Sequence, residues 1–345
     1  MRILVVAPGP NFSVADVQHG WERAFRQLGH EVRTYNLDDR LSFFTAAHWG
    51  DDEQTHMLED TEAVRLAVEP LGSAIYKWWP DIVFVVSGFF LPNDIWEVLK
   101  HRPQKTVLLC TESPYEDNIQ FERMMTWEPD VMLLNDPTNV EIFAANHRNV
   151  HYAPHAYDPQ IHRSGRATKK YKCDFGFVGT GYKSRLDMLA RVDWRGLDVK
   201  LAGMWQMAGG TCLEDFVIHP LKECFDNDEA VKLYRSAKIS ANLYRARTGA
   251  GEAADPALAE GWSVGPREIE LAATKTFFLR DPRPEGDELF PFLPTFHSAG
   301  EMSELIRFYL NEPKLREQAA QQAYDAVRDR TFESHAKSLL QRIAD

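Results

Sequence analysis

Residues 265–281 read Gly-Pro-Arg-Glu-Ile-Glu-Leu-Ala-Ala-Thr-Lys-Thr-Phe-Phe-Leu-Arg-Asp, which places one guanidinium and two carboxylates in the first turns of a short predicted helix. An apolar strand follows directly at 276–279. A helix start offers unpaired N–H groups and the positive end of the dipole, a natural seat for a phosphate-bearing ligand. Glutamates beside it can hold the hydroxyls of a ribose or a sugar. Glu268 and Glu270 could instead serve only the helix dipole, worth ~0.3–1 kcal/mol. That role would not call for Arg267 beside them.

A second set lies at 177–185, Phe-Val-Gly-Thr-Gly-Tyr-Lys-Ser-Arg, between a predicted strand and a predicted helix. Gly179, Thr180 and Gly181 permit a tight turn and close backbone approach to a pyrophosphate. Lys183 and Arg185 supply charge to neutralise it. Arg185 is the stronger candidate, because a guanidinium can grip phosphate through two parallel bonds. Asn242 and Tyr244 end another strand, where ligand-facing residues of open α/β sheets collect, and Gly203 and Trp205 are placed likewise. Tyr244 and Trp205 are candidates to stack on a base, or else core aromatics.

Two patterns that resemble metal sites are better explained otherwise. Asp226-Asn227-Asp228 precedes a helix and reads as its N-cap. His151 and His155 are four apart but in a strand-like segment, so they do not share a face. No metal site is expected. The glycine pattern for dinucleotides is incomplete at 8–10, and no nucleophile elbow or Walker-type loop is present.

The elements that position these residues follow from apolar periodicity. Strands are predicted at 3–7, 31–35, 82–86, 106–110, 131–134 and 150–153, alternating with helices at 14–28, 55–79, 92–99, 115–125 and 136–146. Residues 41–50 read as an irregular, aromatic-rich loop. A polar, basic run at 163–172 marks a boundary. The alternation then restarts, with strands at 173–178, 199–202, 239–243 and 277–279 and helices at 183–192, 229–236 and 266–273. Three helices close the chain, at 298–310, 314–327 and 332–343. The expected fold class is α/β, with two successive Rossmann-like, doubly wound domains.

The length of 345 residues suits two such domains, and a 44% hydrophobic content suffices for packed cores. A net charge of −12 and pI near 5.5 disfavour general electrostatic grip on nucleic acid, though not a local basic cleft. Cys110, Cys173, Cys212 and Cys224 form no Cys-x-x-Cys pair and read as reduced thiols. The first apolar run is too short for a secretory signal and no run approaches a membrane span. The expected location is therefore cytoplasmic.

The Glu-x-Ala-Ala turn, the apolar strand after it and the following Asp-Pro-Arg-Pro-Glu-Gly-Asp-Glu-Leu resemble the nucleotide-sugar site of GT-B glycosyltransferases. The likeness is to the family-1/family-4 type group that includes spore-maturation glycosyltransferase-like proteins. That resemblance implies an acceptor domain at 1–155, a donor domain at 156–330 facing it across a cleft, and a C-terminal helix at 331–345 crossing back to the N-terminal domain. It implies transfer of a sugar from a nucleotide diphosphate sugar, a UDP-sugar above others, to an acceptor hydroxyl. No cofactor or metal is implied, the donor being a substrate. The 179–185 turn would face the diphosphate, Glu270 would hold the ribose, and Arg267 and Glu268 would lie near the sugar and phosphates. Lys275 departs from the pattern, standing where the family more often has glycine. The resemblance also places His155 near the sugar and turns the loops carrying Asp16, His19, Glu112 and Asp117 toward the acceptor. Glu112 and Asp117 are the candidate general bases of an inverting reaction. The alternatives are a non-catalytic two-lobed nucleotide- or sugar-binding module and, less well supported, a sugar epimerase. The acceptor stays open among a glycan, a metabolite, a protein and a modified DNA base.

Overall fold

The computed structural model describes residues 1–9, 15–49, 62–100, 104–111, 124–244 and 261–344. The chain divides into two compact units: Met1–Pro154, Ala257–Gly261 and Phe332–Asp345 in one, His155–Pro256 and Trp262–Thr331 in the other.

The first unit is built on a parallel sheet of β1 (Arg2–Val6), β2 (Glu31–Tyr35), β3 (Ile82–Val86), β4 (Lys105–Cys110), β5 (Val131–Leu134) and β6 (Val150–Tyr152), in the order β2-β1-β3-β4-β5-β6. β3 and β5 are buried along their whole length, as continuous Val/Ile/Leu/Phe runs covered on both faces must be. Helices α1 (Ala15–Gln27), α2 (Leu37–Trp49), α3 (Glu62–Val68), α4 (Pro70–Trp78), α5 (Asn93–Lys100) and α6 (Val140–Ala144) connect the strands.

Two expectations are corrected here. The segment read as an irregular loop at 41–50 is helical through Trp49, because Asn36 caps α2: its side-chain oxygen accepts the Asp39 N–H at 3.0 Å. The single long helix expected over 55–79 is broken, within its described part, at Glu69-Pro70. Proline has no N–H and clashes with the preceding turn, so Pro70 starts α4 instead of continuing α3. The helix expected at 115–125 lies outside the described residues except at its end.

The last helix, α13 (Phe332–Ala344), packs within this same unit against α1. Gly20 makes room for it: a Cβ there would come within 2.2 Å of the Phe332 ring. Trp21 contacts Phe332 at 6.3 Å between centroids and the core ring of Phe84 at 4.9 Å.

The second unit holds β7 (Cys173–Val178), β8 (Val199–Ala202), β9 (Ala237–Asn242) and β10 (Phe278–Arg280), all parallel, in the order β10-β9-β7-β8. The chain leaves β7 toward β8 on one side and returns to β9 on the other, so the strand order reverses between β7 and β9. Ligands of open α/β sheets bind in the crevice outside the strands' carboxyl ends at such a point. Around the sheet lie α7 (Lys183–Leu189), α8 (Asn227–Tyr234), α9 (Pro266–Ala273), α10 (Pro284–Leu289), α11 (Ala299–Asn311) and α12 (Pro313–Val327). The core joins Phe175, Phe177, Leu201, Trp205, Ile239, Ile269, Phe278 and Phe290, all essentially buried.

Candidate functional site

Three segments meet at the carboxyl ends of β7 and β9: the turn at 179–182, the strand end at 242–244 and the start of α9. Their junction is Arg267. Its Nη1 donates to Asn242 Oδ1 at 2.7 Å, and its guanidinium lies 4.9 Å over the Phe177 ring. Its third contact is backbone, since a Cβ on Gly179 would come within 2.3 Å of Arg267 Nη2. Gly179 is therefore glycine for a steric reason, reinforced by its positive φ of 155°. Arg267 Nε is buried without a hydrogen-bond partner, as is Asn242 Nδ2. Buried polar groups are normally paired, and unpaired ones mark a place where a partner is to be supplied.

The glycine turn is shaped differently from the expected cradle. Gly179 N–H donates to Ala202 O and Gly181 N–H to Met204 O, both at 2.8 Å, so neither is turned to a pyrophosphate. Their small size serves packing: a Cβ on Gly181 would strike Trp205, and one on Gly203 would strike the Gly179 backbone at 2.3 Å. Gly203 itself donates its N–H to His219 Nε2 at 3.0 Å. Trp205 is fully buried, a core residue and no platform for a base. Thr180 contributes its carbonyl, which accepts from Arg185.

Arg185 and Lys183 also depart from their expected role. Arg185 is 7% exposed, and it donates to Leu243 O from Nε and Nη2 at 2.9 and 2.7 Å and to Thr180 O from Nη1 at 2.8 Å. It therefore ties the turn after β7 to the end of β9. Lys183 faces outward, its ammonium 2.6 Å from Asp187 one helical turn on. Of the cations chosen from sequence, Arg267 sits at the junction with a buried nitrogen, Nε, that has no hydrogen-bond partner.

The two glutamates of α9 have separate environments. Glu268 has no exposed surface. Its Oε2 accepts the Gly265 N–H at 2.9 Å, closing the helix start as an N3 glutamate does, and also accepts the Tyr244 hydroxyl; Oε1 has no partner. Burial outweighs these bonds and the nearby Arg280 and Arg283, and pushes its pKa up to about 7. Glu268 is thus an internal brace for Tyr244, not a donor ligand. Tyr244 is occupied too, with Arg283 4.1 Å over its ring.

Glu270, its side chain one-fifth exposed, accepts from Tyr234 Oη at 3.2 Å and lies 3.9 Å from His162 Nε2. Its pKa is also raised to about 7, by burial first and against the pull of Arg267. Five residues later Lys275 has φ 57°, and the Lys275 and Thr276 N–H groups donate to Ala272 O and Leu271 O, closing a Schellman motif. The position where the family more often has glycine is thus one where the backbone asks for it. Phe177, Tyr234 and His162 were not singled out from sequence. The signal for Phe177 was its place near the end of β7, two residues before Gly179.

His155, half-buried, opens the second unit. Two residues on, Tyr157 donates its N–H to Arg330 O at 3.0 Å. Asp226 caps α8 by accepting from Glu229 N–H at 3.1 Å, as its spacing predicts. In the first unit Asp38 accepts from Gly9 N–H at 2.8 Å, beside His19. Glu112 and Asp117 lie outside the described residues, as does Arg245. Among the described residues no helix is long and apolar enough to cross a membrane.

Residues 183–341 match a protein-family model described as glycosyl transferase-like. The chain is 21% identical over 264 residues to the spore protein CgeB of Bacillus subtilis, covering 75% of this chain and 82% of that one. Its fold is similar to that of sucrose-phosphate synthase from Thermosynechococcus elongatus, with 10% identity, 99% and 98% coverage and a TM-score of 0.66. It is also similar to Anabaena HepE in complex with UDP-glucose, with 11% identity, 99% and 100% coverage and a TM-score of 0.66. Taken with the two parallel α/β units, these likenesses show a fold of the GT-B class, with residues 183–341 matching a glycosyl transferase-like family.

Proposed function

We propose that the second unit binds a UDP-sugar at the carboxyl ends of β7 and β9, and that transfer to an acceptor hydroxyl proceeds without a metal ion. The observation that carries this reading is Arg267, fixed by Asn242, Phe177 and the Gly179 backbone at the point where the strand order reverses, with donor capacity unspent. In the reaction the bond between the anomeric carbon and the diphosphate oxygen breaks, the acceptor oxygen bonds to that carbon, and the acceptor hydroxyl gives up its proton to a general base, for which Glu112 and Asp117 are the candidates, or to the departing diphosphate. Negative charge gathers on the departing diphosphate. Arg267 would stabilise that charge.

Glu270 then accepts from the ribose hydroxyls, held in orientation by Tyr234. UDP as the nucleotide draws support from HepE, whose structure was solved with UDP-glucose and with UDP and glucose. The acceptor is assigned to the first unit by the family resemblance, and its chemistry beyond a hydroxyl stays open.

The test is calorimetry with UDP-, GDP- and dTDP-sugars, paired with an assay for slow release of free nucleotide diphosphate. Binding and hydrolysis of a UDP-sugar with chelator present are expected. Binding with neither hydrolysis nor transfer would favour a non-catalytic module, and a strict requirement for a divalent ion would overturn metal independence.

A further inference from the structure

Arg267 keeps a buried Nε without a partner at the junction, and its geometry depends on a residue that does not reach the surface. Asn242 is 2% exposed, the last residue of β9, and it spends its Oδ1 on Arg267 Nη1 at 2.7 Å. Its backbone is fixed independently, with Asn242 O accepting from Asp281 N–H at 3.1 Å and the strand paired to Arg280. The carboxamide is thus a rigid acceptor behind the guanidinium. Phe177, fully buried, supplies the ring beneath it. A freely rotating arginine loses rotamer entropy when it binds phosphate, whereas one already held by a planar bond and a ring face has lost it in advance.

We propose that Asn242 is a positioning residue for recognition of the donor's terminal phosphate: it orients Arg267 so that the guanidinium distinguishes a nucleoside diphosphate from the monophosphate. This rests on the donor-site reading above. Sequence reasoning placed Asn242 among the donor-contacting residues, and its burial moves it one step back. Asn242 acts through the group that touches phosphate, by setting its angle. Loss of the carboxamide oxygen leaves Arg267 charged and present but free to swing off the Phe177 ring.

The experiment is calorimetric titration of UDP and UMP into the full-length protein, read as the ratio of the two dissociation constants. Wild type is expected to prefer UDP, and Arg267→Ala to bring the ratio close to one. Asn242→Leu, close in volume and lacking an acceptor, is expected to lower UDP affinity about tenfold while leaving UMP affinity within about twofold. A structural role alone would weaken both nucleotides together and leave the ratio unchanged, which overturns the inference. Phe177→Leu provides a second arm should Asn242→Leu fail to fold: it is expected to reduce the ratio severalfold, and an unchanged ratio counts against the proposal. If wild type binds neither nucleotide, the donor-site reading itself fails. If Arg267→Ala lowers the ratio and Asn242→Leu does not, the donor-site reading stands and this inference falls.

Discussion

Glu268→Gln should make the protein more stable at pH 8 and leave it nearly unchanged at pH 5. The wild-type carboxyl is fully buried, accepts from Tyr244 and from the Gly265 N–H through one oxygen, and leaves the other oxygen without a partner. Its pKa is pushed up from 4.5 to about 7 by burial. A raised carboxyl pKa means that the native state holds its proton more tightly than the unfolded chain. The associated stability is therefore complete below pH 4.5 and is lost as pH rises to about 7. The displacement of roughly 2.5 pH units corresponds to about 3 kcal/mol at most, at 1.36 kcal/mol per unit. Glutamine keeps an oxygen for Tyr244 and Gly265 and never ionises, and the attraction of the carboxylate to Arg280 and Arg283 is already contained in the pKa of about 7. A net gain of about 1–3 kcal/mol at pH 8 and under ~1 kcal/mol at pH 5 follows. Urea unfolding followed by tryptophan fluorescence at both pH values measures it. A variant no more stable than wild type at pH 8, or equally stabilised at both, would refute the account of Glu268 as a buried brace. Glu270, raised to about 7 as well, leaves part of the wild-type pH slope in place.

Arg185→Met should lower stability by about 3 kcal/mol, since three donors to the Leu243 and Thr180 carbonyls are lost together. A thermal midpoint equal to that of wild type would return Arg185 to the role of a free phosphate ligand. Lys275→Gly should raise stability by about 0.5–1 kcal/mol by relieving the positive φ, less whatever the exposed contacts of Lys275 to Gln321 and Tyr324 contribute. Chemical denaturation decides it, and a clear loss would mean those contacts outweigh the backbone. Gly20→Val should cost about 1–3 kcal/mol, because the new side chain must displace the Phe332 ring and loosen α13 from α1. Limited proteolysis near residue 332 should accelerate in that variant, and unchanged cleavage would contradict the packing.

The sheet elements were legible because buried parallel strands are continuous apolar runs, and β3 and β5 announce themselves by composition alone. Helix boundaries were legible where a cap was plain, as at Pro266–Ala273. Pro70 and the Asn36 cap were equally plain signals, but they sat inside segments whose apolar spacing pointed elsewhere. The short α10, opened by Pro284, carries too few residues for periodicity to show. At the site, residue types and turns could be read from order along the chain, yet partner choice could not. Arg185 and Arg267 look alike in sequence. One is consumed by carbonyls at Leu243 and Thr180, the other keeps a vacant buried donor, and that difference arises only when β7 and β9 lie side by side. Glu268 and Glu270 diverge in the same way, two residues apart on a helix and so on different faces.

The most direct test of the central claim is the initial rate of nucleotide diphosphate release from the UDP-sugar that gives the largest thermal shift, in wild type and in Arg267→Ala of matched thermal midpoint. The site described here predicts a fall of about 100-fold or more on loss of that guanidinium. A rate within about threefold of wild type, less than ~1 kcal/mol of transition-state stabilisation, would show that the leaving diphosphate is held elsewhere.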